Sequence, residues 1–170
     1  MPNTKAYTVA NATGGMTLLS TTTLSGASTT VSINSTGYKQ LSFMISGVTA
    51  NTNGSFRMSL NGNTNLTDSV MSYWGTTGAT VGDLNWYWST YIAMSGSNAD
   101  NAFQINVYDP AATTKYKALD YAAGFLDSAS QRYAIQGGGV YKSNSAISSA
   151  VFTVYGGNLT AGTVLIYGVK

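Results

Sequence analysis

The run SFRMSLNG (55–62) sets Phe56, Met58 and Leu60 against Ser55, Arg57 and Ser59. Side chains that alternate with a period of two belong to a strand with one face buried and one wet. The same alternation recurs along the chain. YKQLSFMISGV (38–48) puts Leu41, Phe43 and Ile45 on one face and Ser42, Met44 and Ser46 on the other. AFQINVYDP (102–110) sends Phe103, Ile105 and Val107 inward and stops at Pro110, which has no N–H for a ladder. In KYKALDYAAGFL (115–126), Leu119, Tyr121, Ala123 and Phe125 share a face; a short helix over ALDYAAGFL competes, and strand is preferred. DLNWYWSTYIAM (83–94) reads as one alternating strand, with Leu84, Trp86, Trp88, Ile92 and Met94 opposite Tyr87, Ser89 and Tyr91.

MTLLSTTTL (16–24) and TTVSI (29–33) read as strands about an SGAS turn, and RYAIQGGGVY (132–141) carries three glycines suited to a sharp bend or a close backbone approach. The chain closes with two strand-forming runs, 147–155 and 163–169, about GGNLTAG, which predicts a terminal hairpin. In its last run Val164 and Ile166 oppose Leu165, Tyr167 and Val169, the pattern of a strand covered on both sides and built into a core. Two stretches lack a period. Residues 1–15 read as a flexible N-terminal arm or edge segment, and 62–82 as the longest irregular connection. Nine or ten short strands with regular turn signals and no long repeat predict an all-β fold: a single-domain, jelly-roll-like antiparallel β-sandwich over 16–170.

Composition sharpens this picture. Charged residues are 8% of the 170, far below the roughly 25% of an average soluble protein, and Glu is absent. Thr, Ser, Asn and 19 Gly carry the polarity, which favours strands and turns over helices. The net charge of +2 comes from scattered Lys and Arg, so no nucleic-acid footprint is expected. No apolar run is long enough for a membrane helix, and the N-terminal residues lack a secretory pattern; synthesis and folding in a cytoplasm follow as expectations. A polar surface with so little charge repels copies of itself weakly and suits an assembly component.

With neither His nor Cys, catalytic triads, Cys-His pairs and the usual zinc sites are excluded. A glycosidase would need two of Asp68, Asp83, Asp100, Asp109, Asp120 and Asp127 across one cleft, and their spacing singles out no pair. Asp83, Asp100 and Asp109 read as turn-starting residues that bind their own backbone. NGNTNLTD (61–68) and SNADN (97–101) offer oxygens but not the spacing of a calcium loop, and GGG (137–139) lacks the Lys of a phosphate loop. No metal, cofactor or catalytic residue is therefore expected. Trp86 and Trp88 with Tyr87 and Tyr91 could stack sugar rings. Because the tryptophans share a face with Leu84, Ile92 and Met94, core packing with the tyrosines at a subunit interface is the preferred reading.

The ending GGNLTAGTVLIYGVK resembles the C-terminal signature of small jelly-roll structural proteins of tailed bacteriophages, and SFRMSLNG and AFQINVYDP look like strand-turn segments of the same family. The resemblance spans about residues 38–170. It implies a non-enzymatic virion protein on the capsid surface: a decoration or cement protein, homotrimeric, bound to the major capsid protein outside the assembled head and bridging capsomers. The alternative it leaves is a carbohydrate- or receptor-binding domain of a head or tail fibre, with a glycan as partner. Candidate interface residues are Tyr7 and Val9 in the arm, together with Trp74, Tyr87, Tyr91 and Tyr108.

Overall fold

The computed structural model describes residues 15–63, 67–75, 78–84, 88–89 and 93–170, with the backbone alone for 67–75, 78–84 and 88–89. Twelve strands and no helix form among the described residues: β1 Met16–Thr23, β2 Thr29–Ser32, β3 Gln40–Ala50, β4 Phe56–Leu60, β5 Thr67–Gly75, β6 Gly78–Leu84, β7 Trp88–Ser89, β8 Ala102–Tyr108, β9 Lys117–Leu126, β10 Arg132–Tyr141, β11 Ser149–Val154 and β12 Leu159–Val169. They make an antiparallel β-sandwich. One sheet has eight strands in the order β1-β12-β3-β8-β9-β10-β5-β6, and the other has four in the order β2-β11-β4-β7.

The strands expected at 38–48, 55–62, 102–110 and 115–126 form where the alternation puts them. Leu41, Phe43 and Ile45 of β3, Phe103, Ile105 and Val107 of β8, and Leu119, Tyr121 and Phe125 of β9 are all buried in one continuous core with Phe56, Met58 and Leu60 of β4. Register brings them into line: Ile45 lies opposite Phe103 and Val164, and Phe43 opposite Ile105 and Ile166. The sheets meet through aromatic rings. Phe56 of the small sheet stacks on Phe103 of the large one at 4.7 Å between centroids, and Phe152 of β11 packs edge-on against Phe43 at 6.3 Å. Each such side chain contributes about 1.5–3 kcal/mol by leaving water.

Several expectations are overturned by which sheet a strand joins. The closing runs do not form a hairpin: β11 pairs with β2 and β4, whereas β12 lies between β1 and β3 in the other sheet. The turn about Gly156 and Gly157 is a bridge between layers, and a Cβ on Gly157 would collide with Thr52 and Asn51. β12 is an interior strand, yet only one of its faces is fully covered; Leu165, Tyr167 and Val169 are half-buried. The stretch 62–82 is not an irregular connection, because β5 and β6 pair as a hairpin at the edge of the large sheet. The neighbouring β10 supplies a nine-pair ladder that overrides the weak local pattern. Nor is 83–94 a single strand: Leu84 ends β6 in the large sheet and Trp88 lies in β7 of the small one, with 85–87 outside the described residues. Asp83 therefore sits within a strand and starts no turn. β10 keeps unbroken register on both sides through its three glycines, and the site of a Cβ on Gly138 is 3.2 Å from the Leu119 carbonyl oxygen, a close approach.

Only β5–β6, β8–β9 and β9–β10 are sequence neighbours that also pair; every other consecutive pair among these strands lies in different sheets. The chain therefore crosses repeatedly from layer to layer, and the crossing segments must satisfy their backbone groups without a ladder. Buried polar side chains perform that task. Asn101, fully buried, shares its amide N–H groups among the carbonyl oxygens of Val48, Ser95 and Asn98 and accepts from the Leu126 amide. Asn61 donates to the Ala146 carbonyl and accepts from the amides of Ser148 and Ser149. Lys117 is also fully buried, and its ammonium donates to the carbonyl oxygens of Ser145 at 2.7 Å, Ser143 at 2.8 Å and Lys115 at 3.4 Å. Burial lowers its pKa from the ordinary 10.5.

Two outcomes follow from this packing. Phe152→Ala, which removes a ring touching both Phe43 and Phe56, should cost about 3–5 kcal/mol in urea unfolding, while Met44→Ala on the outer face should cost below about 0.5 kcal/mol. Lys117 gives up its proton at lower pH in the folded state than in the unfolded chain, so the unfolded chain binds more protons as pH approaches 10.5. The cost of the buried charge is then complete at neutral pH and fades as pH rises. Lys117→Met should be less stable than the parent, with the gap widening between pH 7 and pH 10; a gap that narrows would contradict the assignment.

Candidate functional site

The outward positions of β8, β9 and β10 converge on one polar cluster at the centre of the large sheet. Asn106 stands opposite Asp120, and Gln104 opposite Ala122, which in turn faces Gln136 across the next strand pair. Asn106 Nδ2 donates to Asp120 Oδ1 at 2.8 Å, and the Tyr108 hydroxyl donates to Asp120 Oδ2. Both carboxylate oxygens are thereby engaged and the side chain is held in one pose. The hydrogen bond to Asp120, with burial and the carboxylate charge adding to it, raises the Tyr108 pKa above its ordinary 10.0. With Nδ2 fixed on Asp120, the Asn106 amide orientation is set, and its Oδ1 is buried with no hydrogen-bond partner among the described residues.

A depression of about 480 Å³ opens over this cluster, bordered by Gln104, Asn106, Asp120, Ala122 and Gln136. A second one, of about 390 Å³, continues it across β8 and β3 to Met44 and Leu165 and shares Gln104 and Ala122 with the first. The trough exists because the positions between the longer side chains are small: Ala102, Ala122 and Gly124. Beyond it, on β12 and β1, the outer face turns apolar. Met16 and Leu18 are about half exposed, Met44 is 37% exposed, and Leu165, Tyr167 and Val169 stand half-buried between them. None of β1, β3 and β12 contains a charged residue.

Of the candidate interface residues, Tyr7, Val9, Tyr87 and Tyr91 lie outside the described residues, as does Trp86, and Trp74 is placed by backbone in β5 opposite Ala134 and Ala79. Tyr108 is 38% exposed at the end of β8 and belongs to the Asp120 cluster. The turn reading of the aspartates applies to a residue not singled out for it: Asp127 Oδ1 accepts from the amides of Ala129 and Gln131. Asp109, in left-handed backbone with φ 49°, instead pairs with Lys115 at 2.6 Å. Asp120 is the one acid lining the depression among the described residues, and these contain no group of three or more metal-ligating acids.

No family model, curated protein or solved structure matches this chain. The site's chemistry therefore rests on its own residues. The sequence reading names only the inward Phe103, Ile105 and Val107 of this strand, and Asp120 only as one of six acids. Nothing along a single strand shows that the outward residues of three strands meet, because that depends on cross-strand register.

The pinned carboxylate makes a checkable difference to ionisation. One tyrosine should titrate above the ordinary range in the parent and return to it in Asp120→Asn, read by ¹³C NMR of labelled tyrosine rings. Because a raised tyrosine pKa favours the protonated folded state, the stability it lends is present below pH 10 and lost as pH climbs past the raised value.

Proposed function

We propose that the protein is a non-enzymatic virion structural component, a decoration or cement protein of a tailed-bacteriophage head that binds the assembled shell as a homotrimer and bridges capsomers. The observation that carries this reading is the uncharged apolar band of Met16, Leu18, Met44, Leu165 and Tyr167 on the outer face of the large sheet. Exposed apolar surface set in an otherwise polar exterior is what a protein contact covers. The resemblance of the closing segment to phage jelly-roll proteins supports the same reading, with the sandwich taken as a relative of that fold. A shell under internal pressure fails between capsomers, so a molecule that binds only the assembled form stabilises it by mass action, and symmetric copies add multivalency. On this reading the major capsid protein and further copies of the chain are the partners, and the virion surface is the location.

Light scattering on the purified protein should give three copies per particle, and the protein should sediment with expanded phage heads. Leu18→Asp, at an exposed position that the core does not need, should fold normally and lower that co-sedimentation at least about tenfold, the equivalent of about 1.4 kcal/mol. A monomer at every concentration that stays in the supernatant would refute the reading.

A further inference from the structure

The trough on the outer face has two chemically different halves. One presents Gln104, Asn106, Asp120 and Gln136, and the other Met44, Leu165, Ala102 and Gly124, with Gln104 and Ala122 common to both. From β12 to β10 it runs across five adjacent strands, roughly 19 Å at about 4.8 Å per strand. No described side chain fills either half.

The side chains restrict what could lie there. Among the described lining residues no Lys or Arg is present and the one charge is Asp120, so an anionic ligand would meet repulsion without a counter-ion. Asp120 already accepts from Asn106 and Tyr108, and it has too few companions to strip the water from a metal ion. A purely apolar ligand would desolvate three amides and a carboxylate without pairing them, at about 1–3 kcal/mol for each group. Amides donate and accept, as hydroxyls do, and remaining carboxylate lone pairs accept from hydroxyls. The matching ligand therefore has a hydroxyl-rich edge for the Gln104, Asn106, Asp120 and Gln136 half and a C–H face for Met44, Ala122 and Leu165.

We infer that this trough is a binding site for a neutral saccharide, a short oligosaccharide laid across the strands with hydroxyls on the amide and carboxylate half and a ring face on the apolar half. The site shares Met44 and Leu165 with the apolar band, but sugar binding is read on the free chain and shell binding by co-sedimentation, so the two readings can fail separately. The described residues that line the trough are also other than the Trp86, Trp88, Tyr87 and Tyr91 platform considered from sequence.

Saturation-transfer NMR and calorimetry of the full chain with lactose, maltose, cellobiose and N,N′-diacetylchitobiose, and with sialyllactose as the anionic comparison, test the inference. At least one neutral disaccharide should bind, with sialyllactose weaker than lactose. Gln104→Ala should weaken the binding about tenfold, the equivalent of losing one hydrogen bond of about 1.4 kcal/mol. Ala122→Trp, at an exposed position whose larger side chain fills the trough, should abolish it while leaving the urea midpoint near that of the parent. Absence of binding to all four neutral sugars at millimolar concentration would overturn the inference. So would binding that Ala122→Trp leaves intact in a folded protein, or sialyllactose binding more tightly than lactose.

Discussion

The stack of Phe56 on Phe103, reinforced by Phe152 against Phe43, is the contact on which the rest of the molecule depends. Among the described residues the two sheets share no ladder, so what joins them face to face is side-chain packing, to which these rings contribute from both layers. Aromatic pairs at such distances add about 0.5–1.5 kcal/mol beyond the area they bury. Around them the inner faces of β3, β8, β9, β4 and β11 supply apolar residues in alternation, with β3 changing phase at Gly47, and the buried residues form one continuous core.

A core filled by a chain that keeps changing sheets creates a second demand. Every crossing leaves backbone carbonyls and amides near the interior without strand partners, and an unpaired buried group costs about 1–3 kcal/mol. Asn101, Asn61 and Lys117 answer that demand from within, each reading two or more backbone groups of a crossing segment. This gives a physical meaning to an unusual composition. Asn, Ser and Thr are abundant and charged residues rare because polar side chains here are used to fix turns and crossings, where a short amide pairs without the desolvation cost of a charge. Lys117 is the exception. Three carbonyl oxygens can hold its ammonium, but burial still tilts it towards the neutral form.

The exterior divides along the same strands. Over β1, β12 and β3 the outer face of the large sheet is uncharged and carries Met16, Leu18, Met44, Leu165 and Tyr167 among serines and threonines; over β8, β9 and β10 it is polar, shallow and organised by Asp120. The depressions described on this face are shallow, a shape that suits adhesion to a larger body or an extended ligand held across the strands. Small residues at Ala102, Ala122 and Gly124 lower the face where the polar cluster stands, and the long side chains of Met44 and Leu165 rise at its apolar end.

What the amino-acid order determined by itself was local: the alternation that makes β3, β4, β8 and β9 strands, the side of each that turns inward, the stop at Pro110, and the lack of His and Cys that excludes Ser-His-Asp triads, Cys-His pairs and the usual zinc sites. These follow from period and residue type, which need no partner to be read. Tertiary structure decided which sheet each strand joined. It separated β11 from β12 although a turn sequence links them, drew β5 and β6 into an edge hairpin against β10, and split 83–94 between the layers. It also assembled Gln104, Asn106, Asp120 and Gln136 from three strands. Pairing is a long-range choice governed by total burial and satisfied backbone groups, and no short window of sequence contains either sum.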